Sequence, residues 1–219
     1  MIELMKTILG LFALCQACNV FAQGTVLLTG QNSGFGVSFR VFGPEVGNPA
    51  IIKTGNRSSD LPAGTQVYTG VLLSGSNFRA ELWGAPGINQ LESALQAGSP
   101  GSSFRTGTAA GVVASTTVSF NNIPKDYLGG GTFQLRVWDN SSGFYPTWNA
   151  AQMAWFAGVI LAAKGPLLNF DSTIGGDINP APFLPGMQSF GLPNIPEPST
   201  LSLAGFVALA LFRRRRRHA

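Results

Sequence analysis

The chain has 219 residues, 45% hydrophobic and only 11% charged, with a formal net charge of +4. Soluble domains usually carry about 25% charged residues, so a surface of long charged helices is excluded and one of turns and strand faces, built from Gly, Ser, Thr and Asn, is indicated. Residues 23–195 carry equal numbers of basic and acidic residues, so the sequence pI near 9.4 belongs to the C-terminal tail and does not indicate a nucleic-acid surface.

The N-terminus has the build of an export signal. Lys6 supplies the positive region, Ile8 to Leu14 the apolar stretch, and Val20-Phe21-Ala22 a small-residue site, with the cut between Ala22 and Gln23. Glu3 fits such a leader poorly, and Met5-Lys6 would make a cleaner start. Cys15 and Cys18 are poor matches to a lipidation site. Both cysteines leave with residues 1–22, and the one histidine is His218 in the tail. The exported body therefore has neither His nor Cys. That removes Ser-His-Asp and Cys-His nucleophiles, disulfides and the usual zinc sites.

The body reads mainly as short strands. Gly24 to Thr29 is the first, and Phe35 to Val41 the second, with Phe35, Val37, Phe39 and Val41 in one phase. Ala50 to Ile52 is a short candidate. Thr65 to Leu73 and Phe78 to Trp83 follow, divided by Ser74-Gly75-Ser76-Asn77, which has the composition of a hairpin turn. Asn89 to Gln96 offers a helical turn or a loop. Phe104-Arg105, Gly111 to Ala114 and Thr116 to Phe120 are further strands.

Thr132 to Trp138 alternates most clearly, with Phe133, Leu135 and Val137 against Gln134, Arg136 and Trp138. Thr147 can cap a short helix over Trp148 to Phe156, apolar enough to close one end of the fold. Val159 to Ala162, Leu167 to Phe170 and Met187 to Leu192 complete the set. Strands of this length, with turn signals between them and one short helix, predict an all-β domain over residues 23–192. The expected form is a single β-sandwich, of which a jelly roll is one variant.

Candidate chemistry in the body is sparse. Lys53, Lys125 and Lys164 could each serve a Ser-Lys pair, but no spacing recommends one. Glu81 alternates with an apolar strand face and reads as solvent-facing. Glu92 falls in a loop and Asp139 at a turn, so no carboxylate pair for glycoside hydrolysis emerges. Asp171 and Asp177 flank Gly175-Gly176 without matching a calcium loop, which favours turn capping. No metal or cofactor is expected. Trp83 and Trp138 fall on the polar phase of their strands. There they either stack on sugar rings or lie under a second layer such as the Trp148 helix.

The tail organises the rest of the chain. Residues 193–198 form a linker ending in Pro196-Glu197-Pro198. Residues 199–212 form an apolar run, and Arg213, Arg214, Arg215, Arg216 and Arg217 open the last segment, 213–219. The prolines delay helix formation, Ser199 or Thr200 can cap a helix, and the arginines stop it on the cytoplasmic side. The run of fourteen residues makes a short transmembrane helix of roughly 21 Å, which suits a temporary anchor.

Pro196-Glu197-Pro198, the apolar run and the arginine cluster together resemble the PEP-CTERM sorting signal of Gram-negative bacteria. That resemblance implies cleavage at the motif by exosortase, a membrane protease-transpeptidase, after transient residence in the inner membrane. It also implies release to the cell surface or an exopolysaccharide and biofilm matrix. In the body, Tyr68-Thr69-Gly70, Ala80-Glu81-Leu82-Trp83-Gly84, Phe104-Arg105-Thr106-Gly107 and Leu135-Arg136-Val137-Trp138-Asp139 resemble a set of β-rich PEP-CTERM proteins. This adds support for the fold and little for activity. The sequence thus points to a non-catalytic structural or adhesive surface protein, the alternative being a carbohydrate-binding module using Trp83 and Trp138.

Overall fold

A computed structural model describes residues 23–194. The chain is mostly β, spread over several small sheets, with one α-helix among the described residues. The central sheet is built on two nine-residue strands, β5 (Phe78–Pro86) and β8 (Gly131–Asp139), paired antiparallel along their whole length from Phe78↔Asp139 to Pro86↔Gly131. The preceding short strands are β1 (Gly24–Leu28), β2 (Gln31–Asn32), β3 (Val37–Ser38) and β4 (Val41–Phe42). Between β5 and β8 lie β6 (Gln96–Ala97), on the free edge of β5, and β7 (Thr116–Phe120), which pairs antiparallel with β1. β9 (Ala162–Lys164) and β10 (Leu168–Phe170) follow one another along the other edge of β8. The last strand, β11 (Phe190–Gly191), lies parallel to β4.

The core follows from the period of two. Ala80 and Leu82 of β5 and Phe133, Leu135 and Val137 of β8 share one face. They are buried with Val26 and Leu28 of β1, Val118 and Phe120 of β7, and Ile174, Leu184, Met187, Phe190 and Leu192 from the C-terminal third. Gly84 lies on this face, and a Cβ there would come within 2.8 Å of both Phe120 and Phe133. The opposite face of β8 is also buried, at Thr132, Gln134, Arg136 and Trp138. Residues 87–92 and Gly165 engage it at Thr132 and Gln134, and α1 (Trp148–Phe156) covers it at Trp138. The helix N-terminus is capped by Thr147 Oγ1 accepting from the Ala150 N–H, in accord with the sequence.

Several sequence expectations are corrected. Phe35 to Val41 is not one strand: a 3₁₀ turn at Ser33–Phe35 and Gly36 at φ 67° take its start, residues 39–40 part β3 from β4, and Phe35 is 61% exposed. Ala50 to Ile52 forms no strand, and Ile51 and Ile52 are exposed. Thr65 to Leu73 forms no hairpin with β5, because both edges of β5 are taken by β8 and β6. The segment instead runs extended, with one bridge, Leu72 to Phe42, and crosses residues 43–44 so closely that a Cβ on Gly70 would sit 2.1 Å from the Gly43 oxygen. Phe104 and Val113 meet in a single bridge, and Glu92–Ala94 forms one 3₁₀ turn before β6.

Among the described residues no helix is long and apolar enough to cross a membrane. The expected leader 1–22 with Ala22, the motif Pro196-Glu197-Pro198, the helix 199–212 and Arg213 to Arg217 lie outside the described residues.

Candidate functional site

The outer face of β5 and β8 gathers most of the body's chemically distinctive side chains. Cross-strand pairing sets Glu81 opposite Arg136 and Trp83 opposite Gln134, and β9 brings Lys164 opposite Arg136. The Arg136 guanidinium lies 3.7 Å from the Trp83 ring centroid and 5.6 Å from that of Trp148. Its Nε donates to Gln134 Oε1 at 3.0 Å, and Gln134 Nε2 donates to the Gly165 carbonyl at 3.1 Å. Glu92, arriving on the 3₁₀ turn before β6, pairs with Lys164 and lies 3.5 Å from an Arg136 nitrogen.

The charges in this layer are committed to one another. Glu81 was expected to face solvent, yet it is only 8% exposed, because α1 and its own sheet close over it. Its Oε2 accepts the Trp83 indole N–H at 2.8 Å, and the carboxylate also accepts the backbone N–H of Trp148 at the start of α1. Burial pushes the Glu81 carboxyl above its ordinary value, against the hydrogen bonds from Trp83 and Trp148 and the nearby charges of Arg136 and Arg79. Burial acts on Glu92 in the same direction, but Lys164, Gln134 and Arg136 together outweigh it and hold that carboxyl low.

The two tryptophans singled out in the sequence occupy different places. Trp138 is 1% exposed, stands edge-on to Trp148 at 6.0 Å and donates from Nε1 to the Tyr145 carbonyl at 2.6 Å. Its ring offers no face to a sugar, because α1 and Ala162 cover it. Trp83 is half-buried, with one face against Arg136. The strand phase placed both correctly on the second face, and the helix is what takes that face out of solvent. Trp148 and Trp155 complete the layer with rings 5.4 Å apart, and their buried indole nitrogens have no hydrogen-bond partner.

Of the remaining sequence candidates, Asp171 is exposed, and the others are engaged. Lys53 pairs with Glu45, Lys125 with Asp177 and Lys164 with Glu92, so each lysine considered for a Ser-Lys dyad is held by a carboxylate. Asp139 Oδ1 accepts from the Ser141 N–H at 2.8 Å, the turn role read from sequence. Asp126 gathers the N–H groups of Asp177, Ile178 and Asn179, which fixes the loop carrying Asp177. No group of three or more His, Cys, Asp or Glu able to hold a metal occurs among the described residues.

A separate open cleft of about 630 Å³ lies between the β10 end and residues 180–185, where Phe35 stacks on Phe183 at 4.3 Å. Asn169 lines it, but its amide is spent on Asn89 and Thr132.

Sequence reasoning missed two clusters. The Arg136-Glu92-Lys164 group draws on three segments that no single window contains. The other is the buried set of Asp60, Arg57 and Ser189, where Ser189 Oγ donates to Asp60 Oδ2 at 2.8 Å across 129 positions of sequence. The signal that could have found the first was the mixture of Gln134, Arg136 and Trp138 on one strand phase, which is unusual for a solvated face.

Residues 194–217 match the PEP-CTERM protein-sorting motif. Comparison of the chain with curated proteins and with solved structures gives no match. The motif is that of a secreted or surface protein sorted by an exosortase-type enzyme.

Proposed function

We propose that this chain, carrying a PEP-CTERM sorting motif over residues 194–217, is a non-catalytic structural or adhesive protein of the cell surface or extracellular matrix. The itinerary has four steps. The leader 1–22 is cut between Ala22 and Gln23. The body, a single β domain with its sheets packed as a sandwich, is exported. The run 199–212 holds it in the inner membrane, with Arg213 to Arg217 as the cytoplasmic stop. An exosortase-type protease-transpeptidase then cuts near Pro196-Glu197-Pro198 and releases the body towards the exopolysaccharide layer.

The observation that carries this reading is the motif match. Support for a structural body comes from its side chains: the charged and aromatic groups of the β5 and β8 outer face bond to one another. Carbohydrate recognition, the second reading, would have to use Trp83 rather than Trp138, since Trp138 is buried.

The test is the intact mass of the protein recovered from the outer surface of its host. The expected mass ends near Pro198 and begins at Gln23, without the apolar run and the arginines. A surface-recovered chain that still carries Arg213 to Arg217 would overturn the processing step.

A further inference from the structure

The described chain leaves the domain through a tightly held exit. The Gly191 N–H donates to the Lys53 carbonyl at 2.9 Å, Leu192 to Phe42 at 2.8 Å, and Asn194 to Pro49 at 2.7 Å. Pro49 belongs to an exposed, uncharged run, residues 46–52, in which Val46 is 76%, Ile51 43% and Ile52 65% exposed. Beside it runs the extended segment 65–71, where alternate residues face out and Val67 and Val71 are 69% and 79% exposed.

The two stretches are neighbours. The Val46 N–H donates to Thr69 Oγ1 at 3.0 Å, and Gly43 donates to the Val71 carbonyl at 2.7 Å. The charges at their border are neutralised internally. Lys53 Nζ donates to Glu45 Oε2 and to the Val67 carbonyl, each at 2.7 Å. The result is a charge-free aliphatic surface at the point where the chain departs, and neighbouring exposed aliphatics of this kind mark a contact surface.

The length of the tail says what this surface meets. Four residues, 195–198, separate Asn194 from the apolar run, so five Cα–Cα steps reach Ser199, a span of at most about 18 Å. As a helix, the run covers about 21 Å of a hydrocarbon layer about 30 Å thick. With Arg213 at the inner boundary, its outer end stops about 9 Å short of the far side. The tether spends about half of its reach inside the bilayer, which keeps Asn194 within about 9 Å of the hydrocarbon edge, at the headgroup layer.

We propose that Val46, Ile51, Ile52, Val67 and Val71 form a membrane-seating face that rests on the outer leaflet of the inner membrane while the tail is uncut. The patch holds no lysine or arginine of its own, so it enters the interface by apolar contact and has no demand for anionic lipid. Seating fixes the domain over its own tether and holds residues 196–198 at the membrane surface. Cutting the tail removes the tether, and the patch alone releases. This inference rests on the anchoring reading above.

The experiment uses the chain from Gln23 to Ala219, which has no cysteine and no second apolar segment to hold it, reconstituted into vesicles of phosphatidylethanolamine and phosphatidylglycerol. An environment-sensitive fluorophore is attached in turn at Ile52→Cys, Val71→Cys and, as a control on an exposed turn, Ser142→Cys. Emission at Ile52 and Val71 is expected to shift to the blue and to be quenched by lipids spin-labelled near the headgroup, with Ser142 unchanged.

If the chain resists alkaline extraction yet all three labels report water, the seating face is overturned and the anchor stands. If alkaline carbonate extracts the chain, the anchor fails and the seating face with it. Quenching that requires an added exosortase-type enzyme would make the occupant a protein and overturn the lipid assignment.

Discussion

Replacing Trp138 by alanine should cost the protein about 4 kcal/mol. The side chain is 1% exposed and held between Trp148, Ala151 and Ala162, and core Trp→Ala changes cost about 3–5 kcal/mol through lost burial and the cavity left behind. The same change orphans the Tyr145 carbonyl, which now accepts the indole N–H at 2.6 Å, and an unpaired buried acceptor adds to the loss. For a domain of this size, with Tm moving about 3 °C per kcal/mol, the midpoint should fall by about 12 °C.

The assay is urea unfolding followed by far-UV circular dichroism, with Trp138→Phe and Met153→Ala alongside. Trp138→Phe keeps a ring but loses the hydrogen bond, and should fall between wild type and alanine. Met153 sits on the same helix but is 74% exposed, so its loss should stay within about 0.5 kcal/mol. If Trp138→Ala and Met153→Ala both cost under about 1 kcal/mol, α1 does not cover this face and Trp138 becomes free to bind a ligand.

Two further outcomes concern the buried carboxylates. Glu81 has a folded-state pKa raised by burial, so its contribution is fully present below the unfolded value of about 4.3 and is lost as pH rises through the folded value. The stability of wild type relative to Glu81→Gln should therefore decline as pH rises above the unfolded value, and a series of urea midpoints taken upward from there checks it. Asp60 runs the other way. Burial opposes its ionisation, but the Arg57 and Ser189 hydrogen bonds prevail, so its contribution is present above about 3.9 and lost as pH falls through the lower folded value. Asp60→Ala, which strands Ser189 Oγ and the Arg57 N–H, should cost about 3 kcal/mol at pH 7 by chemical denaturation, and progressively less as pH falls through the folded value.

The parts of this fold legible in the sequence are those whose local pattern and tertiary role agree. β5 and β8 alternate, β1 and β7 are short β-branched runs, and Thr147 before Trp148 announces a capped helix. Residues 65–71 show the limit. Their alternation is real, with Gln66, Tyr68 and Gly70 turned inward and Thr65, Val67 and Thr69 outward, but a strand also needs a partner backbone along its length. Backbone partners meet it only near its two ends, where the Gln66 N–H donates to the Asn56 carbonyl and the Val71 carbonyl accepts from Gly43, so no ladder forms. Trp138 shows a second limit: period two assigns a residue to a face and cannot say whether that face is wet. Glu81 was misread for the same reason. The helix that covers both follows β8 closely but lies far from β5 in sequence, and the fit between them is a property of the assembled sheet.

The pairing of β11 with β4 also bears on when the body can fold. Residues 41–42 find their parallel neighbours only at 190–191, close to the last described residue. Contacts this distant in sequence are slow to form, because nearly the whole chain must be ordered before they close. On the itinerary proposed above, the first strands would cross the membrane well before their partner, and the domain would stay incomplete until almost the moment the tail arrives. Folding and anchoring would then fall together in time, and a chain stalled short of residue 190 would present an open edge at Val41–Phe42 to chaperones and proteases.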